Sequence, residues 1–238
     1  MKKLVVLSGA GVSAESGIST FRDSDGLWEN YRVEDVASIE GWYRDPQLVL
    51  DFYNQRRRDV QKREPNQAHK IIAELERYFD VTVVTQNIDN LHERAGSSKI
   101  IHLHGEITRA RGERDEEHSI EIGYRDILPG EKYKDGTRLR PFIVWFGESV
   151  PRLKEAAEAV SQADILIVIG TSLVVYPAAG LVNYTKPGCK IYVVDPKPLA
   201  LSYLSAEQIV EKATVGMALL KERLLKEYLS KSEFNIPA

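Results

Sequence analysis

The apolar residues Leu4, Val5, Val6 and Leu7 run straight into Ser8-Gly9-Ala10-Gly11-Val12-Ser13-Ala14, and this junction limits the architecture of the chain more than any other stretch. A short continuous apolar run that ends on glycine reads as a strand buried on both faces. Small residues at Gly9, Gly11 and Ala14 let the next turn and helix pack closely on that strand. They also leave backbone N–H groups and the positive end of a helix aimed at one place, which suits a pyrophosphate. Taken alone, this spacing is equally compatible with an ordinary tight turn between strand and helix. The usual dinucleotide pattern would continue with a long amphipathic helix, a second strand and an acid about 20 residues on. This chain departs from it, with Gly17-Ile18-Ser19-Thr20-Phe21-Arg22-Asp23 and then Gly26-Leu27-Trp28. An apolar ring and a cation directly behind a phosphate cradle point to a loop that folds over the bound group.

Further along, short apolar runs at residues 81–85, 100–103, 142–146, 165–169 and 191–194 read as buried strands, several ending on glycine or a polar residue. Pro151 opens a helix with Leu153, Ala156, Ala157 and Val160 on one face. This alternation predicts an α/β fold, a Rossmann-like parallel sheet with helices on both faces. Residues 36–75, helical and charged, and residues 107–140, polar and poor in apolar side chains, interrupt the pattern. They are expected to form a small inserted domain over the mouth of the sheet, leaving 1–35, 76–106 and 141–238 as a discontinuous dinucleotide-binding domain.

A chain of 238 residues buries roughly 70 to 75% of its extended surface and needs no metal or disulfide to hold a core. Its net charge of -3 lacks the basic excess of a nucleic-acid binder. Met1-Lys2-Lys3 before the first apolar run resembles the start of a secretory signal, but the run is far shorter than the about 7 to 15 residues such signals need. Nor does any run approach the roughly 20 apolar residues of a membrane span. With a single cysteine, no internal disulfide forms. The expectation is a cytoplasmic protein with no nucleic-acid or membrane partner.

The first motif is joined by Thr85-Gln86-Asn87-Ile88-Asp89-Asn90-Leu91-His92, His102-Leu103-His104-Gly105-Glu106, Val144-Trp145-Phe146-Gly147-Glu148 and Gly170-Thr171-Ser172. In content and order the set resembles the sirtuins, NAD-consuming protein-lysine deacylases, almost from end to end. The resemblance implies NAD as cofactor, bound by Gly9, Ala10, Gly11, Ala14, Ile18, Phe21, Arg22, Trp28, Gln86, Asn87, Asp89, Gly170, Thr171 and Ser172. It makes His104 the general base, a role its near-neutral reference pKa suits. It also places Gln86 at the nicotinamide ribose, Asn87 in the catalytic pocket and Asp89 at the nicotinamide amide. A polar turn whose Asn and Asp cap the next helix explains the same residues structurally, and the two roles can coexist. Asp195, after the run 191–194, is positioned for an adenosine ribose hydroxyl, and Ala213 opens a last helix that closes over adenine. His102, two residues from His104 along a strand, faces the other way and reads as structural.

The resemblance further implies attack of the acyl-lysine amide oxygen on the ribose, with Phe21 and Arg22 excluding water, and products nicotinamide, free lysine and O-acyl-ADP-ribose. Acylated lysines are expected as an extended peptide between Trp145, Phe146, Gly147 and Glu148 on one side and Val174 and Tyr176 on the other, with Val144 adjoining. Mono-ADP-ribosyl transfer to protein and non-catalytic NAD sensing remain alternatives.

Sirtuins usually carry Cys-x-x-Cys pairs for a structural zinc in the second insertion. Here the only cysteine is Cys189, outside it, and one histidine, His118, stands among arginines and carboxylates. Four ligands for a tetrahedral site are not available, so no metal is expected. The insertion is then held by salt bridges and by packing of Ile107, Ile120, Ile122, Tyr124, Ile127 and Leu128.

The segment 45–63 reads as a helix with Val49, Phe52, Tyr53, Arg56 and Val60 on one face. Arg56 thus stands where leucine would be expected, with the Tyr53 hydroxyl one turn earlier, while Arg57 and Arg58 are expected to face solvent. An arginine on an apolar face is costly unless it meets a carboxylate, although snorkelling to the rim is common. Tyr-x-x-Arg at this place is similar to the class III sirtuins, which remove succinyl, malonyl and glutaryl groups.

Overall fold

The computed structural model describes residues 1–19, 31–116, 118–199 and 204–229. Strand β1 (Lys3–Ser8) divides its side chains between two cores. Leu4 and Val6 pack with Ile71, Ile72 and Met217, whereas Val5 and Leu7 pack with Ala156, Val160 and Leu181. A strand apolar on both faces requires cover on both. Helices α5 (Gln67–Glu74) and α8 (Ala213–Tyr228) supply it on one side, and α7 (Leu153–Gln162) with the 3₁₀ segment Ala178–Tyr184 on the other.

Strands β2 (Asp80–Thr85), β3 (Ile100–His102), β7 (Ile165–Ile169), β8 (Lys190–Val194) and β9 (Ala206–Ile209) surround β1 and join parallel neighbours throughout. The six-stranded sheet runs in the order β3-β2-β1-β7-β8-β9. Register puts Ser8 opposite both Thr85 and Ile169, Thr85 opposite His102, and Ile169 opposite Val194. Five strands therefore end level, and the motif residues after them share one edge of the sheet. Strand β9 has no apolar run to announce it, since its partly exposed edge position asks for none.

Several expectations are corrected. The run 142–146 does not join the parallel sheet; strand β6 (Leu139–Ile143) pairs antiparallel with β4 (Gly105–Gly112), and β5 (Ile120–Glu121) completes a three-stranded sheet. Beyond Ile143 the chain stays extended but changes partners, with Val144 N–H donating to His104 O and Phe146 N–H to Ala37 O. Strand β4 itself escapes the apolar pattern because buried Arg111 takes a core position, its charge met by Glu148. The helix after the first glycines, α1 (Gly11–Ala14), is a single turn.

Helix α4 (Pro46–Gln61) begins where the Asp45 side chain accepts from Leu48 N–H and Pro46 occupies the first turn. Arg58 faces out toward Asp126, but Arg57 is fully buried rather than solvated. Its Nε donates to Ile107 O at 2.7 Å and its Nη1 to Asn54 Oδ1 at 2.8 Å. Burial lowers its pKa to about 10, with nearby Asp126 opposing. Ile107 lies at an irregularity of β4, so its carbonyl turns from the ladder to the guanidinium.

Ile107, Ile122 and Ile127 enter a third core with Trp42, Phe52, Tyr53 and Trp145. Ile120 and Leu128 do not, being 39% and 59% exposed, because one sits on the short edge strand and the other begins the Leu128-Pro129-Gly130 turn. Beside this core Glu148 accepts from both terminal nitrogens of buried Arg140, at 2.7 and 2.9 Å, and from one of Arg111 at 3.1 Å. Burial alone would raise the Glu148 pKa, but the hydrogen bond and charge of Arg140 outweigh it and hold the carboxylate ionised.

Candidate active site

At the reversal of strand order between β1 and β7, the turns after these two strands touch through backbone. Gly9 N–H donates to Ile169 O at 3.0 Å and Gly11 N–H to Gly170 O at 2.9 Å. A Cβ on Gly9 would lie 2.7 Å from the Thr171 Cβ, and one on Gly11 2.7 Å from Gly170 Cα. Only glycine permits this approach, which makes the crevice where open α/β sheets take nucleotides. Ala10 and Ser172 are half-buried at its rim, Ile18 is buried, and Ala14 is exposed. Phe21, Arg22 and Trp28 lie outside the described residues. The Thr171 hydroxyl accepts from Gln86 Nε2 at 3.2 Å, joining the ends of β7 and β2.

A buried polar network stands behind Gln86. Ser13 Oγ accepts from Asn87 Nδ2 at 3.2 Å and donates to Asp89 Oδ2 at 3.1 Å. Asp89 Oδ1 accepts from Leu91 N–H at 3.1 Å at the start of helix α6 (Leu91–Ala95), whereas Asn90 at the N-cap makes no side-chain cap bond, so only the acid caps as the capping reading expected. Burial pushes the Asp89 carboxyl up. His69, on α5, reaches Ser13 at 3.4 Å and meets the His92 ring edge-on at 4.9 Å. Neither Ser13 nor His69 stands out as a site residue in the sequence; the serine is one small residue among glycines, and the histidine sits on an apolar helix face. The serine-glycine spacing was the available signal.

His104 comes just after β3 at the same edge. Its Nδ1 lies 2.9 Å from the Gln86 carbonyl oxygen. A carbonyl can only accept, so Nδ1 carries the proton and Nε2 is left as the basic nitrogen. Burial lowers the pKa of His104, with the Gln86 carbonyl opposing. Gly105, at φ +83, lets β4 begin at once, since a Cβ there would fall 2.0 Å from Phe142 O. His102 is turned the other way, its Nδ1 3.1 Å from Asn87 O and its Nε2 2.6 Å from Glu93. Burial opposes its charge, but Glu93 dominates and raises its pKa.

The direction for His104 sets a pH profile. A base with a lowered pKa stays neutral further into acid, so kcat/KM should fall on acidification with an inflection below the ordinary value of about 6.5. A pH–rate series between about pH 5 and 8 checks this, and an inflection above about 6.5 would contradict it.

Within the third core, Trp145 Nε1 donates to the buried Tyr53 hydroxyl at 2.9 Å, and burial pushes the Tyr53 pKa up to about 12. Arg56 is half-buried; burial lowers its pKa, while Tyr53, Asp89 and Asp59 favour its charge. The guanidinium therefore stands within electrostatic reach of both Tyr53 and Asp89. Phe146, Val174 and Tyr176 are 50%, 55% and 72% exposed, as residues lining an open channel would be. Val144 is half-buried, and Gly147 turns the chain at φ +90. The side chains of Trp145 and Glu148 point inward, and their backbone N–H groups are engaged as well, that of Trp145 by Glu148 Oε2 at 2.9 Å and that of Glu148 by Trp145 O at 3.0 Å.

Asp195 follows β8, its Oδ1 accepting from Lys197 N–H at 2.9 Å. Buried Ala213 opens α8, where Glu15 caps Thr214 through its N–H at 2.9 Å and hydroxyl at 3.0 Å. Among the described residues, no three His, Cys, Asp or Glu are grouped to hold a metal ion, and no helix is long and apolar enough to cross a membrane.

A parallel sheet ordered in this way, with a glycine crevice at the reversal and a histidine beside it, defines a Rossmann-like dinucleotide-binding fold. Residues 9–177 match the Sir2 family model, and the chain belongs to the Sir2 family. It is 52% identical over 231 residues to an NAD-dependent protein deacylase of Bacteroides thetaiotaomicron, covering 94% of this chain and 99% of the relative. With a protein of the same name from Helicobacter pylori it shares 57% over 197 residues, or 83% and 86% of the two chains. Among solved structures, a Sir2 homolog–NAD complex superposes with a TM-score of 0.85 at 42% identity, covering 94% of this chain and 90% of that one. A Sir2 mutant with a deacetylated p53 peptide and 3′-O-acetyl-ADP-ribose reaches 0.76 at 32% identity, covering 94% and 93%.

Proposed function

We propose that this protein is an NAD-dependent protein-lysine deacylase that removes acidic acyl groups, succinyl and malonyl, and also acetyl. The observation that carries the reading is His104, held by the Gln86 carbonyl so that Nε2 is a free base on the edge where the motif residues converge. The crevice fits NAD, since the close approach of Gly9 and Gly11 to Gly170 and Thr171 forms it at the strand ends and Thr171 and Ser172 add hydroxyls, while buried Asn87 and Asp89 suit an amide. Bound there, NAD would supply the ADP-ribosyl group that accepts the acyl oxygen. His104 Nε2 would take the proton of the attacking ribose hydroxyl, Asp89 and Asn87 would orient the amide end, and the inward Ser13 network would keep them fixed. Asp195 and Ala213 would hold the adenosine end, and residues 144–148 with Val174 and Tyr176 the peptide.

Acidic preference is supported by Arg56 beside Tyr53, the fork and hydroxyl that a distal carboxylate needs. The net charge of -3 supports a local peptide site over nucleic acid, and a cytoplasmic location accords with the single cysteine. The third core, with its own antiparallel sheet, supports a small domain drawn from 36–75 and 107–140, except that Ala68, Ile71, Ile72 and Leu75 pack on the parallel sheet instead.

Mass analysis after incubation with NAD and acetyl-, succinyl- and malonyl-lysine peptides tests this reading. Nicotinamide and O-acyl-ADP-ribose with free lysine are expected; an ADP-ribosylated protein without deacylation would favour transfer to protein, and no NAD consumption would favour a sensor. The purified protein should also contain no stoichiometric zinc, and a chelator should leave its activity unchanged. One zinc per chain by metal analysis would refute this, with His118 the first ligand to test.

A further inference from the structure

A chain of buried contacts reaches from Arg140 to the Tyr53 hydroxyl. Arg140, fully buried, lies 3.5 Å from the Trp145 ring centre and is locked by two hydrogen bonds to Glu148. Glu148 Oε2 also accepts the Trp145 backbone N–H at 2.9 Å. The indole is thus clamped at its face and at its backbone, and its one donor goes to Tyr53 Oη at 2.9 Å. Trp42 packs 5.5 Å from the same indole, and Phe52 meets Tyr53 edge-on at 5.1 Å.

A phenol has one proton and accepts through its lone pairs. When Trp145 Nε1–H occupies a lone pair, the Tyr53 proton must point elsewhere, and accepting a bond strengthens the one donated. We propose that Trp145 is a positioning residue for acyl selectivity: its indole N–H orients the Tyr53 hydroxyl as a donor toward the distal carboxylate of the acyl group, with Arg140 and Glu148 holding the indole in place. This rests on the acidic-acyl reading above. Trp145 touches no reacting atom; it acts through Tyr53 and sharpens discrimination between a charged and a neutral acyl end.

The test is a double-mutant cycle on one peptide bearing either succinyl or acetyl at the same lysine. Trp145→Phe removes the donor but keeps an aromatic ring for Arg140 to stack on. The succinyl-to-acetyl ratio of kcat/KM should fall about 3- to 10-fold, the size of one net hydrogen bond. In a Tyr53→Phe background the same change should lower the ratio no further, because the hydroxyl it orients is gone. A ratio unmoved by Trp145→Phe but lowered by Tyr53→Phe would overturn the inference and leave acidic-acyl recognition standing. Ratios unmoved by both would sink that recognition and the inference together. A loss in Trp145→Phe equal on both substrates would make the tryptophan purely structural and likewise overturn the proposal.

An independent readout avoids mutating Trp145. The chain has 3 tryptophans, so ¹⁵N-indole labelling with Trp28→Phe and Trp42→Phe assigns the Trp145 Nε1–H signal by elimination. A succinyl-lysine peptide should shift that signal more than its acetyl counterpart; equal shifts would contradict the inference.

Discussion

Replacing His104 with tyrosine should lower deacylation by at least about 10²- to 10⁴-fold, the usual worth of a positioned general base, while NAD still binds and the protein stays folded. The half-buried ring makes its one described hydrogen bond to the Gln86 carbonyl, from the nitrogen that is not the base. A tyrosine can fill the space, but its hydroxyl is a poor base at neutral pH. Binding should survive because the crevice glycines and the Asn87-Asp89-Ser13 network belong to other strands and to α1. The measurement is kcat/KM on an acyl-lysine peptide beside calorimetric titration of NAD. Near-normal turnover would remove His104 from the chemistry.

Changing Arg56 to methionine should lower the succinyl-to-acetyl ratio of kcat/KM roughly 10- to 150-fold, which corresponds to about 1.5 to 3 kcal/mol for hydrogen bonds to a charged group. Methionine keeps the length and the apolar stem but cannot bind a carboxylate. The ratio is the quantity to read because Arg56 also lies in the field of Asp89, so any effect on the amide end is common to both substrates. Tyr53→Phe should move the ratio the same way but less, its ring staying in the aromatic cluster. An equal loss on both substrates would mean that Arg56 holds the small domain together and that selectivity lies elsewhere.

Much of the dinucleotide-binding half was legible because its strands are buried on both faces, and continuous apolar runs ending on glycine are what such strands require. β1 and β7 announce themselves in this way, β8 by an apolar run that ends on Asp195, and the level strand ends are a consequence of the parallel sheet. The small domain was legible only in part. There the positions that decide the structure hold arginines: Arg57, Arg111 and Arg140 are buried, and each reads in sequence as a solvated charge. Burial of a guanidinium depends on a partner distant along the chain, Ile107 O for Arg57 and Glu148 for the other two.

By itself the sequence determined the parallel sheet, the glycine turns at its carboxyl edge and the family, and it placed Val49, Phe52, Tyr53 and Val60 on the buried face of α4 while reading Arg57, which is buried, as solvated. Those depend on periodicity, on glycine and on motifs whose parts are close along the chain. Only the tertiary structure decided which nitrogen of His104 is basic, that the 142–146 run serves a second sheet, and that the Tyr53 hydroxyl is met by Trp145. Each of those turns on a hydrogen-bond partner contributed by a different element, and a partner of that kind is specified by the packing of the elements rather than by any local pattern of residues.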